Sequence, residues 1–166
     1  MSLKGGSRAL ALDHFIPYRM SFTSNLVSDL IARTYDALFG LTIPEWRLVA
    51  VIAETGGITQ GEICQRTRMD KVTVSRAAIA LVNRGLLDRL ANEGDRRSHH
   101  LVLTEAGRTL HATIAPKALG IEQRIFAHFA PEESERFVAM LRRIDAIALE
   151  LAEEEEQRKA REAATA

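Results

Sequence analysis

A single cysteine, Cys64, stands among the 166 residues. No disulfide can close within the chain, which suits a reducing cytoplasm. No apolar run approaches the roughly 20 residues that span a bilayer, and the N-terminus lacks a secretory apolar stretch, so neither a membrane nor a secreted protein is expected. There is no Gly-rich phosphate loop, no nucleophile elbow and no convincing carboxylate pair, which removes the usual grounds for an enzyme. His14, His99, His100, His111 and His128 show no zinc-ligand spacing. His99 and His100 are adjacent on a predicted strand and point to opposite faces. No metal and no cofactor are expected. Aromatic residues are only 5% of the chain, whereas Ala, Leu, Ile, Glu and Arg are common, a mix that favours helices. Net charge is lacking too: 22 basic residues cancel 22 acidic ones, which on its face argues against a nucleic-acid partner.

The cancellation is not local. Residues 66–97 hold eight basic residues against four acidic ones, a net of +4. Residues 131–166 hold six basic and ten acidic residues, a net of −4. Phosphate contact requires a local patch, and a whole-chain sum hides it.

Helical periodicity runs over residues 13–39, where Phe22, Leu26, Leu30, Ile31, Tyr35, Leu38 and Phe39 recur. Pro17 lies near the start of this helix and Gly40 ends it. Three shorter helices follow with one start grammar. Thr42 with Glu45 and Thr59 with Glu62 form capping boxes, and Asp70 is a third cap. These place helices near residues 43–54, 60–66 and 71–84, with Gly56-Gly57 breaking the first and Gly85 closing the last. The short turn Thr67-Arg68-Met69 gives helix-turn-helix spacing. Residues 86–90 and 98–103 form two short strands around the turn Asn92-Glu93-Gly94-Asp95. Thr104 caps a helix to about residue 129, which Pro116 is expected to kink or interrupt. Pro131 opens a last helix with Phe137, Met140, Leu141, Ile144, Ile147, Ala148 and Leu151 on one face. Residues 156–166 form a solvated, fraying tail.

The fold expected is mainly α with a small two-stranded β-wing: a winged helix-turn-helix carrying long dimerisation helices at both ends. Residues 13–40 and 104–155 would form the dimerisation helices, and residues 41–103 the DNA-binding lobe. The outer helices are too apolar on one face to pack on a small winged core alone, so a homodimer is expected.

In the helix over 71–84, Val74, Ala77, Ala78, Leu81 and Val82 form the packing face. Lys71, Val72, Thr73, Ser75 and Arg76 lie mostly off it. Hydroxyls, an apolar group for thymine methyls and one guanidinium at a helix start suit base edges and flanking phosphates. Arg76 is the foremost base reader, because its fork can grip guanine bidentately. At the hairpin tip, Asp95 can orient Arg97 for a narrow minor groove, with Arg96 beside it. Either element alone is compatible with an ordinary charged surface. Their order is what points to DNA.

The sequence resembles the MarR family of bacterial transcriptional regulators over roughly residues 15–150. The resemblance rests on Leu41-Thr42-Ile43-Pro44-Glu45-Trp46-Arg47, Asp70-Lys71-Val72-Thr73-Val74-Ser75-Arg76 and Arg84-Gly85-Leu86-Leu87. Gly94-Asp95-Arg96-Arg97-Ser98 and Leu101-Val102-Leu103-Thr104-Glu105-Ala106-Gly107 complete it. It implies a cytoplasmic, nucleoid-associated homodimeric repressor whose two winged lobes straddle a palindromic operator on double-stranded DNA. It also implies release by a small ligand, often an aromatic acid or its thioester.

An effector of that kind wants aromatic walls and a cation. Tyr18, Arg19, Trp46 and Arg47 are the candidates, although taken singly each suits packing better. A redox-responsive reading needs a reactive thiol, and Cys64 is expected to be buried and inert beside Ile63. A metal-responsive reading has only the scattered histidines. The alternative of another class is a winged-helix protein-interaction module that does not bind DNA.

Overall fold

The computed structural model describes residues 10–91 and 99–165. The wing tip, with Asp95, Arg96 and Arg97, lies outside the described residues. Contacts divide the chain into two units, the second beginning at Ile121.

In the first unit a 3-10 turn over Leu12–His14 precedes α1 (Ile16–Phe39). The helix therefore starts later than its periodicity suggests, with Pro17 in its first turn, where a missing N–H costs nothing. Gly40 ends it in the left-handed conformation, φ 57°, which only glycine adopts freely. Helices α2 (Ile43–Thr55), α3 (Gln60–Thr67) and α4 (Lys71–Asn83) follow, then α5, which starts at Glu105.

All three expected caps form. Thr42 and Thr59 each accept from the N–H of the glutamate three residues on, and those glutamates accept from the threonine N–H in return. Asp70 accepts from the N–H of Thr73 at 2.9 Å.

The sheet has three strands rather than two. β1 (Ile58–Thr59) pairs antiparallel with β3 (His99–Leu103), which pairs antiparallel with β2 (Leu87–Ala91), in the order β1-β3-β2. Ile58 sits opposite Leu101, and Leu87 opposite Leu103. All four are buried. The two residues before α3 thus serve twice, as the wing's third strand and as the helix's cap and hydrophobic staple.

The core lies where α2, α3 and α4 meet this sheet. Leu48, Val49 and Ile52 of α2, Ile63 of α3, and Val74, Ala78 and Leu81 of α4 are essentially inaccessible to solvent. Each buried leucine or isoleucine contributes about 1.5–3 kcal/mol. Of the expected packing face of α4, Val74, Ala77, Ala78 and Leu81 are buried, and Val82 is half-buried against the same core. Tyr35 of α1 and Ile114 of α5 complete the cluster. Cys64 is half-buried against it rather than fully enclosed.

Helix α5 (Glu105–Phe126) continues through Pro116 without interruption. The proline removes one donor, leaving the Ala112 carbonyl short of a bond. Both residues are exposed, so water can satisfy that oxygen. In the second unit α6 (Pro131–Thr165) is a single helix that extends through the acidic segment. Glu133 accepts from the Ala130 N–H at its start, and Arg158 pairs with Glu155 near its end. No described helix is long and apolar enough to cross a membrane.

Candidate nucleic-acid interface

The turn from α3 into α4 is built by side chains closing on nearby backbone. The Thr67 hydroxyl donates to the Ile63 carbonyl at 2.6 Å, finishing α3. Arg68 takes a left-handed conformation, φ 56°, the one non-glycine to do so among the described residues. That placement costs an L-residue about 1–2 kcal/mol. No glycine or asparagine stands in this turn to announce it, so pattern reading passes over Arg68.

Asp70 then fixes the start of α4. Besides accepting from the Thr73 N–H, its carboxylate accepts from the Thr73 hydroxyl at 2.6 Å. Those bonds hold the Asp70 carboxyl below its ordinary value of 3.8. They also commit the Thr73 proton. With that bond made, Thr73 can accept from a base amino group but cannot donate to a phosphate.

Lys71, Val72 and Arg76 are exposed, whereas Thr73 and Ser75 are half-buried. Ile79, 47% exposed, extends the same side. Val72, Arg76, Ile79 and Asn83 follow i, i+4, i+7, i+11, one outward stripe opposite the buried face. Ile79 and Asn83 went unnoticed in the sequence, although the spacing from Val72 reaches both.

The far end of α4 closes as a complete Schellman turn. Gly85 at φ 68° donates its N–H to Val82 O, and the Leu86 N–H donates to Leu81 O. The Thr104 N–H donates to Leu86 O at 3.1 Å and its hydroxyl to Gly85 O at 2.7 Å. The Thr104 oxygen in turn accepts from the Gly107 N–H. The Arg84 guanidinium reaches the other way, donating to Phe39 O at 2.5 Å and Gly40 O at 3.1 Å. Arg84 is one of the eight basic residues behind the local +4, and its fork is engaged at the end of α1.

The four effector candidates do not come together within one chain. Arg19 pairs with Asp13 at 3.3 Å and lies over the Phe22 ring, and the Tyr18 ring meets the same ring at a tilt, 6.2 Å between centroids. Trp46 instead stacks between Tyr35 and His111, each 5.7 Å away between ring centroids. Tyr18 and Tyr35 are 17 positions apart on α1, about 25 Å along its axis. Burial raises the Tyr35 hydroxyl above its ordinary value of 10.0, and nearby Arg47 opposes the shift. A cavity of about 370 Å3 opens beside this stack. Ile52 and Ala53 of α2, Leu90 and Val102 of the wing strands, and Arg108 and His111 of α5 help to line it. The Arg108 guanidinium is held by Glu105 and by the Leu103 carbonyl, both at 2.8 Å. His111 was not singled out as an effector residue, because its partner Trp46 lies 65 positions earlier.

A tri-helical lobe with a helix-turn-helix and a three-stranded wing defines a winged-helix DNA-binding regulator. The MarR family model matches residues 39–98. The transcriptional regulator HosA of Escherichia coli O157:H7 is 27% identical over 113 residues, covering 68% of this chain and 84% of HosA. An uncharacterized HTH-type transcriptional regulator of Bacillus subtilis, YwoH, is 30% identical over 104 residues, 63% of this chain and 75% of YwoH. A MarR-family regulator from Silicibacter pomeroyi superposes with a TM-score of 0.71 at 26% identity, covering 82% of this chain and 94% of that one.

This chain belongs to the MarR family of transcriptional regulators. Its relatives are regulators, not enzymes. Two more distant structures share the fold. Sco3205 of Streptomyces coelicolor, solved in complex with DNA, has a TM-score of 0.73 at 19% identity and covers 84% of this chain and 90% of its own. CouR of Rhodococcus jostii RHA1, solved bound to p-coumaroyl-CoA, has a TM-score of 0.73 at 20% identity and covers 82% and 95%.

Proposed function

We propose that the protein is a homodimeric repressor that sits on a palindromic operator in the bacterial cytoplasm, bound to the nucleoid. The observation that carries the reading is the outward stripe of a doubly anchored α4. Its start is capped by Asp70 and its end is closed by the Schellman turn. Arg76 grips a guanine edge, Val72 meets a thymine methyl, Thr73 and Ser75 complete the base contacts, and Lys71 binds phosphate. The wing adds Arg97 in the minor groove, oriented by Asp95, with Arg96 on the backbone. Sco3205, a regulator of the same fold, was solved in complex with DNA, which supports DNA as the partner.

Residues 13–40 and 104–155 form the dimerisation helices, residues 41–103 the reading lobe, and residues 156–166 the tail. Support comes from apolar side chains left in water by a single copy. Leu26 of α1 is 58% exposed, and Met140, Ile144, Ile147 and Leu151 of α6 are 40–56% exposed. A second copy offers the same surface in return.

Release by a planar acid or its thioester is the third part of the proposal. The cavity beside His111 falls in the ~300–1,000 Å3 range of small-molecule sites. Because Arg108 is already paired, the imidazole of His111 is the group left to meet a carboxylate. CouR, bound to a coumaroyl thioester, is the relevant precedent for the fold.

The test is a titration of random-sequence duplexes at several salt concentrations, with sedimentation to count chains. Selective binding by a two-chain species, weakening steeply with salt, is the expected result. A folded protein that retards no duplex is a protein-interaction module instead.

A further inference from the structure

We propose that Arg84 is a positioning residue for DNA reading: it ties the last turn of α4 to the last turn of α1 and so sets the direction in which α4 presents Arg76. The inference rests on the reading that α4 enters the major groove.

Two adjacent carbonyls, of Phe39 and Gly40, receive the two arms of one guanidinium. The last carbonyls of a helix lack intrahelical donors and carry the negative end of the helix dipole. A planar fork meets such a pair with two parallel bonds, whereas an ammonium concentrates its charge at one point. The contact spans 44 and 45 positions of sequence. On its other side the same turn is held by Thr104, through Gly85 O and Leu86 O. The end of α4 is therefore gripped by α1 through Arg84 and by the start of α5 through Thr104.

Leverage makes the grip matter. Thirteen residues separate Arg84 from Lys71, about 20 Å of helix. A tilt of about 5° at Arg84 moves Lys71 by roughly 2 Å and Arg76, about 12 Å away, by roughly 1 Å, still more than a bidentate hydrogen bond tolerates. Arg84 also sits at the end of α4 opposite the capped start, with both arms already donating.

Arg84→Met and Arg84→Lys are compared with wild type on the duplex that wild type selects most tightly from a random pool. Stoichiometric titration gives the active fraction, and a salt series gives the electrostatic slope. The expected result for Met is a full active fraction, a Kd weakened about tenfold and an unchanged salt slope. Lys restores part of the affinity. A slope reduced by about 0.9 per lost contact makes Arg84 a phosphate ligand and overturns the proposal. So does an unchanged Kd, whether or not the active fraction falls. Should the Met variant fail to fold, the Lys variant carries the same readouts.

A second arm needs no DNA. Spin labels at Asp29 and Lys71, in a Cys64→Ala background diluted with unlabelled chain, report the α1-to-α4 distance. Loss of the Arg84 fork broadens that distribution, and an unaltered width overturns the tie. If wild type selects no duplex, the groove reading fails while the distance arm still decides the role of Arg84.

Discussion

Gly107 lies against the carbonyl oxygen of Leu86 so closely that no methyl group fits between them. The obstacle is backbone, and it belongs to the turn that closes α4. Gly107 therefore lets α5 begin where the reading helix ends.

Gly107→Ala forces one of the two backbones to move. Overpacking of this kind costs about 1–3 kcal/mol, and each kcal/mol lowers Tm by roughly 2–4 °C in a domain of this size. Calorimetry should show a fall of several degrees, with weaker DNA binding alongside. An unchanged Tm would mean that the turn yields freely and does not anchor α4.

Acid should loosen the start of α4. Hydrogen bonds from Thr73 hold the Asp70 carboxyl below its ordinary 3.8, and bonds from Thr59 hold Glu62 below its ordinary 4.5. A depressed carboxyl contributes its stability in full above the ordinary value and loses it as pH falls through the lower, folded value. Urea midpoints should stay level from neutrality to about pH 5 and drop below about pH 4. Asp70→Asn keeps a capping oxygen but cannot titrate. It should show a shallower acid loss, and an identical acid profile would remove Asp70 from the account.

Trp46 is the chain's one tryptophan, and it stacks on the His111 ring that faces the cavity. A planar acid entering that cavity should change Trp46 emission and raise Tm together. His111→Ala should shift the emission of the free protein and abolish the ligand response. Ligands that raise Tm equally in the His111→Ala variant bind elsewhere.

Arg97 should act through DNA and not through the fold. Arg97→Ala is expected to weaken operator binding and reduce the salt slope while leaving Tm within about 2 °C, the range of substitutions that change stability little. A lowered Tm with an intact slope would assign it a structural role.

Local grammar was the legible part of this fold. The caps at Thr42, Thr59 and Asp70 and the glycine ends at Gly40 and Gly85 are decided within five residues, and each forms as its spacing implies. The packing face of α4 follows from one helical period. What escaped was non-local. β1 is two residues long, too short to alternate, and its partners Leu101 and His100 lie more than 40 positions away. The Arg84 tie to Phe39 and the Trp46 stack on His111 likewise join distant segments. Tyr18 and Arg19 share a residue type with a ligand site, yet α1 carries them far from Trp46. At Pro116 the helix is not interrupted: one lost hydrogen bond at an exposed position does not end it.

The most direct test concerns Arg76 and guanine. A fork on O6 and N7 leaves no room for a methyl group on N7. Methylation interference on the selected duplex should therefore expose one sensitive guanine in each half-site for the wild-type protein. Arg76→Ala should bind about 1–3 kcal/mol more weakly and become indifferent to methylation at that guanine. An Arg76→Ala protein that keeps wild-type affinity and the same interference pattern would contradict the assignment of α4 as the reading helix through Arg76.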